Sequence, residues 1–92
     1  VLRLLVEVDD GTLGFSLTVD RAYRLTDART GVRIDAADQD AITALLGAGV
    51  LVPGRGRWLN VDGWPPRDHV LTLFISSNTG RAFYADLRGG ER

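Results

Sequence analysis

Apolar and polar residues alternate along much of this chain and change to a helical period only in its middle. Leu2, Leu4, Val6 and Val8 fall on one side of a two-residue repeat, with Arg3, Leu5 and Glu7 on the other, the pattern of a half-buried strand. Leu13, Phe15, Leu17 and Val19 repeat it. Between the two runs, Asp9-Asp10-Gly11-Thr12 predicts a type I′ hairpin turn, because Asp-Gly supplies central residues that accept positive φ. With Asp10 and Gly11 as the loop, Val8 faces Leu13, Val6 faces Phe15, Leu4 faces Leu17 and Leu2 faces Val19. All of these side chains then share one face, as a sheet covering a core requires.

Further on, Tyr23 and Leu25 predict an edge strand, Asp27 to Gly31 a turn, and Val32 with Ile34 a return strand. Helical periodicity begins at Asp35, whose carboxylate suits an N-cap, and Asp38 and Asp40 add negative charge at the positive end of the helix dipole. Ala41, Ile42, Leu45 and Leu46 form the apolar stripe, and Gly49 offers the left-handed position that ends a helix, which predicts a helix from Asp35 to about Ala48. Pro53-Gly54 predicts a turn after Val50-Leu51-Val52, making Gly54-Arg55-Gly56-Arg57 the tip of a hairpin. Arg57 to Val61 alternates again, Trp58 and Asn60 against Leu59 and Val61. Asp62 to Pro66 has loop composition, and Val70 to Ile75 is the continuous apolar run expected of a central strand buried on both faces. Ser76 to Gly80 predicts a turn, Arg81 to Asp86 a return strand, and residues 87–92 a flexible tail.

These elements predict an α+β fold, a mainly antiparallel sheet of five to seven strands packed against one amphipathic helix. The 92 residues make a single domain over residues 1–86. Apolar residues at 45% and charged residues at 25% match a soluble globular chain, and no run approaches the roughly 20 apolar residues of a membrane span. A cytoplasmic setting is the expectation for such a chain. The first residue is Val inside an apolar run and there is no Met, which predicts a segment of a longer protein. The net charge of −1 argues against a basic footprint over the whole domain while leaving room for a local one. All eleven basic residues are Arg, and the absence of Cys removes disulfides, thiolate metal sites and cysteine nucleophiles.

Candidate chemistry is sparse. Asp68 and His69 are neighbours, but adjacent residues on a strand point to opposite faces, so the carboxylate would not orient the imidazole as a catalytic triad requires. Asp35, Asp38 and Asp40 serve the helix start, and Asp9-Asp10-Gly11 lacks the ligands of a calcium loop. No catalytic residue, metal site or cofactor is predicted, no small-molecule substrate is evident, and the chain is expected not to be an enzyme. The candidate interaction residues are Arg55, Arg57, Trp58 and Trp64, arginines able to make bidentate contacts and large rings able to anchor an interface. The expected partner is a protein or a second copy of the chain, with nucleic acid, bound through the basic Gly-Arg-Gly-Arg loop, as the alternative.

Several resemblances bear on that choice. Leu45-Leu46-Gly47-Ala48-Gly49-Val50-Leu51 followed by a basic hairpin resembles the helix and wing of a winged-helix domain, and Leu87-Arg88-Gly89-Gly90 looks like the tail of ubiquitin-like proteins. A longer likeness joins Leu45-Leu46, Gly49-Val50, Pro53, Gly54, Gly56 and Val61 with the stretch Val70 to Ala82, which contains Ser76-Ser77 and Gly80-Arg81-Ala82. Over about half of the chain this resembles the SsgA-like sporulation and cell-division proteins of actinobacteria. That resemblance implies a non-catalytic, oligomeric adaptor on a fold similar to the Whirly single-strand-binding proteins.

Overall fold

The computed structural model describes residues 1–62 and 64–89, with the backbone alone described at residues 64–66. The elements run α1 (Leu2–Asp9), β1 (Leu13–Ser16), β2 (Arg21–Leu25), β3 (Thr30–Arg33), α2 (Ala36–Gly47), β4 (Leu51–Val61), β5 (Trp64–Ile75) and α3 (Thr79–Gly89). The fold is α+β as expected, but among the described residues five strands form one mixed sheet closed into a barrel in the order β1-β2-β3-β4-β5, and three helices accompany it rather than one. β1–β2, β2–β3, β4–β5 and β5–β1 are antiparallel. β3 and β4 are parallel, Thr30 lying opposite Asn60 and Gly31 opposite Val61, because α2 carries the chain back across the barrel between them. Among the described residues no helix is long and apolar enough to cross a membrane.

The hairpin expected over Leu2 to Val19 does not form: its first half is α1. Both periods fit the run Leu2 to Val8, and Leu5 separates them. A strand would send Leu5 to solvent and bury Val6, whereas here Leu5 is fully buried with Leu4 and Val8, and Val6 is 41% exposed. The Asp10-Gly11 pair closes a helix instead of a hairpin. Gly11 sits at φ +76°, its amide donates to the Val8 carbonyl at 2.9 Å, and the Thr12 amide donates to the Glu7 carbonyl at 3.1 Å. That pair of hydrogen bonds is the Schellman cap. α2 ends in the same way, with Gly49 at φ +77° donating to Leu46 and Val50 donating to Leu45, and begins as expected, with the Asp35 carboxylate accepting from the Asp38 amide.

The return strand expected over Arg81 to Asp86 is also helical. Gly80 and Tyr84 are buried and Leu87 packs on the core, a spacing of four and three that belongs to a helix face, while Phe83 is exposed. The Ser76 hydroxyl accepts from the Gly80 amide and donates to the Gly49 carbonyl, tying the start of α3 to the end of α2. α3 takes in Leu87, Arg88 and Gly89, where the sequence predicts a tail, and residues 90–92 lie outside the described residues.

Two cores result. The larger gathers Leu4, Leu5 and Val8 from α1, Ile42 and Leu45 from α2 and Tyr84 from α3 against Leu13, Phe15, Leu51, Leu73 and Ile75 of the sheet. The smaller, inside the barrel, consists of Tyr23, Leu59 and Val70 with Leu25 and Val61 around them. The expected β2–β3 hairpin forms, but β2 is an interior strand of the barrel rather than an edge. Gln39 on α2 anchors it, its amide accepting from the Ala22 amide and donating to the Ala22 carbonyl, each at 2.7 Å. Replacing Leu5 by Ala should therefore cost about 2–5 kcal/mol in urea unfolding, while Val6→Ala should stay within about 0.5 kcal/mol. The reverse ranking would restore the strand.

Candidate functional site

β4 is continuous from Leu51 to Val61, so Gly54-Arg55-Gly56-Arg57 is not the tip of a hairpin and Asp62 is the turn instead. Pro53 is tolerated because the far side of β4 is unpaired there, β3 reaching only Asn60 and Val61. Between Pro53 and Gly56 the register shifts, Pro53 pairing with Leu73 and Gly56 with Leu71, so β4 carries one extra residue in a bulge. The two glycines make room for rings from β5: the Phe74 ring covers Gly54, and the His69 ring, with Leu71, covers Gly56. Glycine at these places is a requirement of packing rather than of a flexible loop.

Beyond the bulge the side chains alternate cleanly. Trp58 and Asn60 share the face opposite Leu59, the alternation that the sequence predicts, and the structure sets Leu59 in the small core and Trp58 and Asn60 outward. Their partners on β5 are His69 and Arg67. Directly opposed residues of an antiparallel pair share a face, so Trp58, His69, Asn60 and Arg67 form one outer patch. The Trp58 and His69 rings meet at 5.2 Å with a 57° tilt, and Trp58 is still 56% exposed. Asp68 and His69 diverge as strand alternation demands. The Asp68 carboxylate accepts from the Ser16 hydroxyl at 3.0 Å and from the His69 amide, while the imidazole lies on Gly56 and against Trp58.

Arg29 joins this patch across the parallel junction, where the Asn60 amide donates to its carbonyl at 2.7 Å. The Arg29 amide in turn donates to the Asp27 carboxylate, which fixes the turn and holds the Asp27 carboxyl below its ordinary pKa. That contribution is present at neutral pH and is lost in acid as the carboxylate protonates. Arg29, Asn60 and Arg67 line an open cleft of about 410 Å³.

Charge separates along the molecule. Arg3, Arg24, Arg33 and Arg81 are ion-paired to Asp38, Glu7, Asp62 and Asp9. Arg21, Arg29, Arg55, Arg57, Arg67 and Arg88 make no ion pair among the described residues, and four of these six, Arg29, Arg55, Arg57 and Arg67, lie on or beside the β4–β5 ribbon. A chain of net charge −1 thus carries a locally basic ribbon.

Of the residues singled out in the sequence, the structure places Trp58 in the patch but sends Arg57 to the opposite side of β4 by alternation and puts Arg55 at the bulge. Trp64 opens β5 opposite Val61, and its ring lies outside the described residues. Asn60 is legible from the strand period as a companion of Trp58. Arg67 and His69 require the cross-strand register, and Arg29 requires the β3–β4 junction, so neither sequence spacing nor charge count points to them.

Gly56→Ala should push the His69 ring off β4 and away from Trp58. The expected cost is about 1–3 kcal/mol for an overpacked site, with a shift in Trp58 fluorescence measured in a Trp64→Phe background. Unchanged stability together with unchanged emission would show that the ring does not lie there. No family model matches the chain, and no match was found among curated proteins or solved structures.

Proposed function

We propose that this chain is a non-enzymatic binding module that contacts nucleic acid through the outer face of the β4–β5 ribbon. The carrying observation is the convergence of Arg29, from the β2–β3 turn, and Arg67, from β5, on one cleft, neither ion-paired among the described residues, beside the exposed Trp58 ring. Guanidinium groups left unpaired by carboxylates are suited to phosphate oxygens, and their planar donors bind them bidentately. The low net charge is no obstacle, because a local field depends on where the charges lie. Three strands precede α2, whereas a helix-turn-helix has helices there. The proposed contact therefore uses the sheet and not a recognition helix.

A second reading, the protein-binding adaptor of cell division or sporulation implied by the SsgA-like resemblance, is favoured by Val52 and Phe74. These are cross-strand partners on the ribbon, 39% and 49% exposed. A cytoplasmic setting suits either reading.

The two are separable. Fluorescence anisotropy with labelled oligonucleotides should show binding at low salt that weakens steeply as salt rises, with a log–log slope of about −0.7 to −0.9 for each phosphate contacted. An absence of binding to single strands and duplexes alike at low salt would remove the nucleic-acid reading. For the adaptor, sedimentation velocity should reveal self-association that Phe74→Asp abolishes, and a strictly monomeric wild-type chain would count against a homo-oligomer.

A further inference from the structure

Resting on the nucleic-acid reading, we infer that the ligand is single-stranded, with one base stacked on Trp58 and a neighbouring phosphate held in the Arg29–Asn60–Arg67 cleft. The argument starts from the ring. Trp58 is fixed from one side by the tilted His69 imidazole and by its place on a paired strand, yet more than half of it stays open to solvent. A rigid exposed indole on a sheet is a stacking platform, and stacking needs a base whose face is free. A duplex hides base faces within its own stack, whereas a single strand offers them, and aromatic platforms beside basic grooves are how such strands are held without sequence readout.

The cleft lies at the matching distance. Trp58 with His69 and Asn60 with Arg67 are consecutive outward pairs on the same ribbon face, so their centres are separated by about 6.6–6.8 Å, two residues of strand rise. That offset suits a base and the adjoining phosphate of one extended strand. Arg67 is held in line by a 3.5 Å contact from its guanidinium to the Trp58 carbonyl, and Arg29 is held by the Asn60 amide on its own carbonyl. The Arg67 cation is thus positioned by the backbone that carries the ring, while the bond at Arg29 fixes its main chain beside that strand and its side chain lines the cleft. The Asn60 side chain, lining the same cleft, supplies a neutral amide that can donate to phosphate or to a base edge.

The test compares a single-stranded oligonucleotide with a duplex of equal length, using the whole chain and three variants: Trp58→Ala, Trp58→Phe and the double variant Arg29→Gln/Arg67→Gln. Circular dichroism melting confirms that each is folded, as expected for substitutions of exposed side chains. Single strand should bind more tightly than duplex. Trp58→Ala should weaken single-strand binding by about 5- to 150-fold, with Trp58→Phe recovering most of it. The double variant should flatten the salt dependence by about 0.7 for each phosphate that the substituted arginines no longer neutralise. Equal or tighter binding to the duplex, or an unaffected Trp58→Ala variant, would overturn the single-strand inference and leave the broader nucleic-acid reading standing. No binding to either form would overturn both.

Discussion

β5 is the strand on which the rest of the structure depends, because it closes the barrel and serves both cores with opposite faces. It pairs with β4 along nearly its whole length and with β1 at Leu71 and Thr72, so removing it would open the sheet at two seams. Val70 points into the small core of Tyr23 and Leu59, whereas Leu73 and Ile75 point into the large core beneath the helices. A strand of period two cannot bury both sets on one side, and the change of side coincides with the bulge in β4 opposite Leu71 to Leu73. The continuous apolar run Val70 to Ile75 is thereby explained as burial on both faces of a central strand, one face per core, with Phe74 the half-exposed exception.

The same switch creates the outer patch. Where β5 turns Val70 inward, it necessarily turns His69 and Arg67 outward, and β4 answers with Trp58 and Asn60. The glycines of β4 let β5 rings lie flat on the backbone, which holds His69 beside Trp58 without a deep pocket around it. Ion pairing elsewhere adds a second layer of organisation. The arginines that fasten α1 to β2, α2 and α3 are neutralised by their partners, and those of the ribbon are not. Exposed ion pairs of this kind add little stability each, so their larger consequence is to leave the ribbon as a place where positive charge is not cancelled.

Local signals were legible wherever a residue's meaning did not depend on its partners. The Asp35 cap, the Ile42–Leu45 stripe and the Gly49 stop specify α2 within a dozen residues, and the turn signal at Asp27 specifies the β2–β3 hairpin, although Thr30 and Gly31 already belong to β3. Gly11 shows the limit of such signals. A left-handed glycine after an aspartate closes a helix or turns a hairpin with the same φ, and only the burial of Leu5, set by α2, β5 and α3 packing around it, chooses the helix. Gly54 and Gly56 are the converse case, turn residues by composition that become strand residues because rings from β5 need the space.

The sequence by itself determined the α+β class, the central helix with both of its ends, and the sharing of one strand face by Trp58 and Asn60. Tertiary structure alone decided that the first and last segments are helices, that the sheet closes into a barrel through a parallel β3–β4 junction, and that Arg29, Arg67 and His69 stand beside Trp58. The reason is physical. Caps, stripes and turns are energies between residues a few positions apart, while register across β4 and β5 is fixed by bulges and by two cores drawing on opposite faces of one strand, and no short window of the chain contains those terms.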